Sequence, residues 1–251
     1  MEIKEVFPRP LVKQVIFAIN FPNLFYIEDK IPNLQEKIMD KFPESNLLFR
    51  RNILIADLGP NVNISDLDDD KLKTEKIWQF GSPNKYELNI TTKQLDISSK
   101  FHKTYDNPES EIRFRDIIMF VVNNFLEVVR VPIISRIGLR YIDEGPILKK
   151  TKRSYKLCYN TSFALDRFNI EDATEMDFKT VVKKGDCLLR YVESLRLIND
   201  QYKVILDFDA YAENIDPKNY LEVTDNLYKL TSEEFERTIK NPIYNYMKEQ
   251  E

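Results

Sequence analysis

The sequence predicts an α+β fold, a curved antiparallel sheet packed by two long helices. Three observations carry that expectation. Strand-like runs cluster together at 77–80, 86–92 and 94–101 instead of alternating with helices. Within the middle run Tyr86, Leu88 and Ile90 share one face while Glu87, Asn89 and Thr91 take the other. That alternation belongs to an antiparallel sheet covered on one side. Two long helical runs, 110–130 and the stretch after Pro217, each close a group of strands.

In chain order, 10–21 reads as a first strand, with Val15, Phe17, Ile19 and Phe21 on one face and Pro22 ending it. Ile31, Leu34, Ile38 and Phe42 then recur at helical spacing, with Pro32 in the first turn and Pro43 past the end. A strand over 47–58 is broken by Gly59-Pro60-Asn61, and 66–73 forms an acidic connector. The meander turns at Ser82-Pro83-Asn84 and at Thr92-Lys93. Over 110–130, Phe114, Ile118, Val121, Phe125 and Val128 form a broad apolar stripe, followed at once by a strand at 131–143 that Gly145-Pro146 closes. A basic segment at 149–156 leads into 159–177, where helix and loop fit equally well. Strands at 178–182, 188–198 and 202–211 follow, the last two joined by Asn199-Asp200-Gln201. The final helix opens at Pro217, and Pro242 kinks it or starts a last turn. The whole reads as one domain, 1–251, open to division into two intimately packed halves, 1–130 and 131–251.

Composition narrows the function classes. The chain has 251 residues, 43% hydrophobic and 31% charged, and no apolar run approaches the ~20 residues of a membrane span. The first residues lack the order of a signal peptide, so the cytoplasm is the expected compartment and no membrane partner is expected. A net charge of -4 argues against bulk affinity for nucleic acid. With 5 glycines, Gly-rich phosphate loops are not expected. Cys158 and Cys187 lack metal-site spacing and read as ordinary thiols. His102, the only histidine, sits beside Lys100 and Lys103 and reads as an exposed residue without a catalytic role. No cofactor is expected.

The candidate site begins with the strand at 131–143. Ile137, Leu139 and Tyr141 fall on one face; Arg136, Gly138, Arg140 and Ile142 fall on the other. Two arginines on an interior strand need partners, because an unpaired buried charge is costly. Asp207 and Asp209, sharing a face of the strand at 202–211, are the candidates, and Glu193 or Arg196 could join. Such a cluster serves as a register-fixing network or as a ligand-binding floor. The two aspartates, with Glu193 or Asp143, could alternatively hold a divalent metal. Lys149, Lys150, Lys152, Arg153 and Lys156, interleaved with Tyr155 and Tyr159, form a candidate contact for nucleic acid or an acidic partner. Lys179, Lys183, Lys184 and Arg190 could extend it.

The run Ser135-Arg136-Ile137-Gly138-Leu139-Arg140-Tyr141-Ile142-Asp143 resembles the hallmark motif of a sporadically distributed prokaryotic family to which no activity is assigned. The opening at 10–17, Leu206-Asp207-Phe208-Asp209 and the helix over 227–239 are similar to that family as well. The resemblance implies a domain spanning nearly the whole chain and carries over no catalytic residues, since none are assigned. The family's patchy distribution implies an accessory role in a host-defence locus with a partner encoded nearby. Taken together, the expectation is a non-enzymatic, self-associating interaction protein, a homodimer that binds a protein or nucleoprotein. The alternatives are a metal-dependent enzyme acting on a phosphorylated substrate and direct nucleic-acid binding through the basic segment.

Overall fold

The computed structural model describes residues 7–52, 73–83, 85–107 and 112–249. The strands are β1 (Val12–Asn20), β2 (Glu44–Asn52), β3 (Lys73–Ser82), β4 (Tyr86–Ile90), β5 (Gln94–Ser99), β6 (Ile134–Pro146), β7 (Met176–Lys184), β8 (Cys187–Ile198) and β9 (Gln201–Ile215). The helices are α1 (Ile27–Ile38), α2 (Phe114–Val128), α3 (Lys152–Cys158), α4 (Tyr220–Thr238) and α5 (Asn241–Lys248). All nine strands join one open sheet in the order β2-β3-β4-β5-β1-β6-β9-β8-β7, with antiparallel neighbours throughout. The fold is therefore α+β, as expected. A three- or four-stranded meander returns twice to the strand that preceded it: β5 pairs with β1, and β9 pairs with β6. β1 and β6 then pair with each other, so one sheet runs across both halves of the chain.

The alternation read from sequence fixes which face is core. Val15, Phe17 and Ile19 of β1, Ile137, Leu139 and Tyr141 of β6, and Leu206, Phe208 and Ala210 of β9 are buried on one side. α4 packs on β6 and β9, with Phe235 edge-on to Phe208. α2 buries Phe114, Ile117, Ile118, Val121, Val122 and Phe125, each worth about 1.5–3 kcal/mol of transfer free energy. Arg115 of α2 ties the two helices together through paired 2.9 Å bonds to Asp225 of α4. On the opposite face Gln14, Ile16, Arg136, Arg140, Asp209 and Arg190 remain partly exposed, and among the described residues no helix crosses it.

Local chemistry accounts for the ends and turns. Asn199 and Asp200 both take positive φ, 49° and 60°, which builds the two-residue hairpin from β8 to β9. Pro242 sits in the first turn of α5, where its missing N–H costs nothing, and so separates α5 from α4. Pro32 is a correction. α1 starts at Ile27, which places Pro32 inside the helix instead of in its first turn. The stripe Ile27, Ile31, Leu34, Ile38 is fully used this way, and burying Ile27 offsets the lost hydrogen bond. The segment between α3 and β7 is irregular. The Gly59-Pro60-Asn61 break and the acidic connector up to residue 72 lie outside the described residues, as does residue 110 at the expected helix start.

Candidate functional site

β6 carries the candidate residues into the middle of the sheet. Its register places Asn20 and Glu213 beside Arg136, Ala18 and Tyr211 beside Gly138, and Ile16 and Asp209 beside Arg140. The arginines do not bond straight across. Arg136 runs along its own strand above Gly138, stacks on the Tyr211 ring at 4.4 Å, and donates from Nη2 to both oxygens of Asp209 at 2.8 and 2.9 Å. Gly138 makes this path available, since a Cβ there would lie 2.8 Å from Arg136 Nη1. Arg140 donates from Nε and Nη2 to the two oxygens of Asp207 at 2.7 and 2.8 Å. That hydrogen bonding holds the Arg140 guanidinium above its ordinary pKa.

The four residues singled out from sequence therefore meet as a cross-strand ionic cluster. A fifth member, Arg190 of β8, completes it by donating to Asp207 at 3.2 Å. Three guanidiniums thus share two carboxylates. The side chains of Arg136, Arg140 and Arg190 are 31%, 35% and 28% exposed, whereas those of Asp209 and Asp207 are 15% and 9% exposed. The acids form a floor and the cations face outward. Arg140 Nη1, Arg136 Nε and Nη1, and Arg190 Nε and Nη2 make no hydrogen bond among the described residues. The sequence groups Arg190 with the basic segment, whereas the structure sets it in this cluster; its alternation with the buried Leu189, Tyr191 and Glu193 is the signal that could have placed it here.

Several expected members belong elsewhere. Glu193 points to the core face and is fully buried. It accepts from Tyr155 Oη at 3.0 Å, Thr161 Oγ1 at 2.5 Å, the Ser162 N–H at 2.8 Å and Tyr191 Oη at 3.4 Å. Burial raises its carboxyl pKa, and these donors hold it back. Arg196 pairs with Asp177 near the far edge. Asp207 and Asp209, the alternative metal ligands, are both engaged by arginine. Among the described residues no group of three His, Cys, Asp or Glu side chains is placed to hold a metal ion.

The basic segment is also revised. Lys152 and Lys156 both pair with Asp166, and Lys150 donates to the carbonyls of Glu171 and Ala173 while lying over the Tyr202 ring. Only Lys149 and Arg153 of the five stand exposed without such a partner among the described residues. Tyr155 and Tyr159 are buried, and Tyr159 donates to the Pro146 carbonyl, so neither presents a ring for base stacking. His102 is buried as well, against the expectation of exposure. Its Nδ1 lies 2.8 Å from Ser99 Oγ and its Nε2 lies 3.1 Å from the Ile112 carbonyl oxygen. Burial lowers its pKa. Both cysteines are free thiols whose pKa burial pushes up.

No family description, no curated protein and no solved structure matches the chain. Among the described residues no helix is long and apolar enough to cross a membrane.

Proposed function

We propose that the chain is a non-enzymatic, cytoplasmic interaction protein whose recognition surface is the helix-free face of the sheet. Its partner presents carboxylates or phosphates, as an acidic protein segment or a nucleoprotein does, and meets Arg136, Arg140 and Arg190 there. The observation that carries this reading is the uneven stoichiometry of the cluster. Two arginines would suffice to neutralise and lock Asp207 and Asp209. The third leaves a cation and several guanidinium donors facing outward above a neutralised floor, the arrangement that recognises planar oxyanions. In this reading the sheet curves around that centre, the long helices α2 and α4 back it, and 1–130 and 131–251 are similar, intimately packed halves. Lys149 and Arg153 add electrostatic attraction from outside the face. The resemblance of the arginine strand to a patchily distributed prokaryotic family supports an accessory role in a host-defence locus.

Self-association belongs to the same proposal. The edge strand β2 exposes three consecutive large apolar residues, Leu47, Leu48 and Phe49, and no strand among the described residues pairs with its outer side; a second copy is the simplest partner for such an edge.

Arg190→Gln tests the recognition surface cleanly. It removes the surplus cation and leaves Arg136–Asp209 and Arg140–Asp207 intact. Tagged protein purified from its native host should retain its partner in the wild type and lose it in Arg190→Gln, with unchanged thermal unfolding. Equal recovery of the same partner by both proteins would assign the cluster to sheet stability alone. The alternative, a metal-dependent enzyme on a phosphorylated substrate, needs Asp207 and Asp209 to release their arginines. It predicts stabilisation by magnesium or manganese that Asp209→Asn abolishes.

A further inference from the structure

On the other side of the sheet, α4 does not close fully over β6 and β9. A cavity of about 60 Å³ remains there, room for roughly four water-sized groups at ~10–15 Å³ each. Four aromatic side chains contribute to its walls, Tyr141 of β6, Phe208 of β9, and Tyr228 and Phe235 of α4, together with Val12, Thr104, Thr231 and Ser232. Tyr141 and Tyr228 approach with ring centroids 6.4 Å apart, and Phe208 and Phe235 approach at 6.2 Å. Into this lining β6 delivers Asp143, 1% exposed.

Asp143 is anomalous there. Its Oδ1 has no hydrogen-bond partner, and neither does the buried hydroxyl of Tyr141 beside it. Among the described residues no cation pairs with it. Lys103 also lines the cavity, but its ammonium is held by the carbonyls of Val12 at 3.1 Å and Lys100 at 2.7 Å. The neighbours of Asp143 across the sheet are Val12 and Leu206, so an apolar side chain would complete the core. A buried carboxylate without an internal partner is costly, and native interiors rarely keep one. A cation entering from solvent would satisfy it, and aromatic faces stabilise organic cations more than neutral molecules of the same size.

We propose that the cavity between β6, β9 and α4 is a binding site for a small alkylammonium ion, with Asp143 as counter-ion and Tyr141, Phe208, Tyr228 and Phe235 as an aromatic cage. The Tyr141 hydroxyl shares the polar end, and the ring faces take the alkyl part. Burial pushes the Asp143 carboxyl up to about 8, so the incoming ammonium displaces its proton. The site lies on the opposite face from the arginine cluster, and either can fail without the other.

The test uses the full chain and n-propylammonium, with 1-propanol as the neutral molecule of equal heavy-atom count. Aromatic and backbone NMR shifts at Tyr141, Asp143 and Phe208 should saturate with propylammonium. Affinity should fall at least tenfold in Asp143→Asn and severalfold in Phe235→Leu, both folded by their spectra. Propanol should bind at least tenfold more weakly. Non-saturating shifts, or equal binding by Asp143→Asn, or equal binding of propanol, would overturn the proposal. Saturation seen only in Lys103→Met would also overturn it, since the native occupant would then be the chain's own lysine.

Discussion

Asp143 sets a residue-scale consequence for stability that does not depend on any ligand. Burial raises its carboxyl from 3.8 to about 8, with a smaller push from the charge on Asp207. The charged or titratable groups lining its cavity are Tyr141, Tyr228 and Lys103, and Asp207 acts on it from the other face of the sheet. A raised folded-state pKa means that the native protein keeps a proton which the unfolded chain has already released. Its contribution is therefore full below the ordinary carboxyl range and is lost as pH rises toward 8, by up to about 1.4 kcal/mol per pH unit. Urea unfolding of the wild type and Asp143→Asn, compared at pH 5 and pH 8, should show the difference between them growing at pH 8 in favour of the variant by a few kcal/mol. Taking the difference cancels His102, whose lowered pKa has the opposite sign. A difference independent of pH would mean that Asp143 is solvated or paired. Two glycines make a second comparison. A Cβ at Gly138 meets the mobile end of Arg136, but one at Gly145 would lie 2.2 Å from the hydroxyl of Tyr159, a core ring. Gly138→Ala should cost about 1 kcal/mol and displace Arg136, whereas Gly145→Ala should cost up to ~3 kcal/mol by overpacking. Chemical denaturation ranks them, and a reversed order would contradict the packing.

At the scale of elements, β6 was the most legible part of the sequence. Alternation placed Arg136 and Arg140 on one face, and the same parity on β9 placed Asp207 and Asp209 opposite them. The diagonal bonding of Arg136 was not legible, because it depends on the missing Cβ at Gly138 and on the Tyr211 ring. The basic segment misled for a related reason: sequence shows charges close together but not the carbonyls and carboxylates that fold back to meet them. Lys150 over Tyr202 and Asp166 between Lys152 and Lys156 use that charge locally. Tyr155 belongs to a different function altogether, the buried network on Glu193. That network joins α3 and the irregular chain after it to β8, so Glu193→Gln has a local signature. Both oxygens of Glu193 accept; an amide NH₂ at the Oε2 position would face the Ser162 N–H, and at the Oε1 position it would force the hydroxyls of Tyr155 and Thr161 to turn from donor to acceptor. The substitution should cost about 1–3 kcal/mol. Hydrogen exchange should accelerate first over 152–165, with β6 and β9 protected; uniform acceleration across the sheet would show that the network is not local.

Over the whole molecule, the two sheet edges are finished differently, and the contrast bears on assembly. β7 ends one side with Asp177, Lys179, Val181 and Lys183 exposed, and charged side chains of this kind discourage another strand from docking. Among the described residues β2 ends the other side; Glu44 and Arg50 are exposed there too, but between them Leu47, Leu48 and Phe49 stand exposed on both of its faces, Phe49 at 59%. An antiparallel edge of this composition can pair with its own copy about a two-fold axis, which would extend the nine strands into one continuous sheet and bury the apolar side chains of both copies. The arginine cluster lies across β6, β9 and β8, toward the opposite side of the sheet, so a dimer formed through β2 leaves the arginine clusters of both copies uncovered. Light scattering should give twice the 29.8 kDa chain mass at micromolar concentration. Phe49→Lys, which places a charge where the two edges would meet, should shift the protein to monomer without altering its thermal unfolding at low concentration. Val181→Lys on β7 should leave the mass unchanged. A wild type that stays monomeric at high concentration would remove β2 as the self-association edge, and a dimer that survives Phe49→Lys but dissociates in Val181→Lys would move the interface to β7.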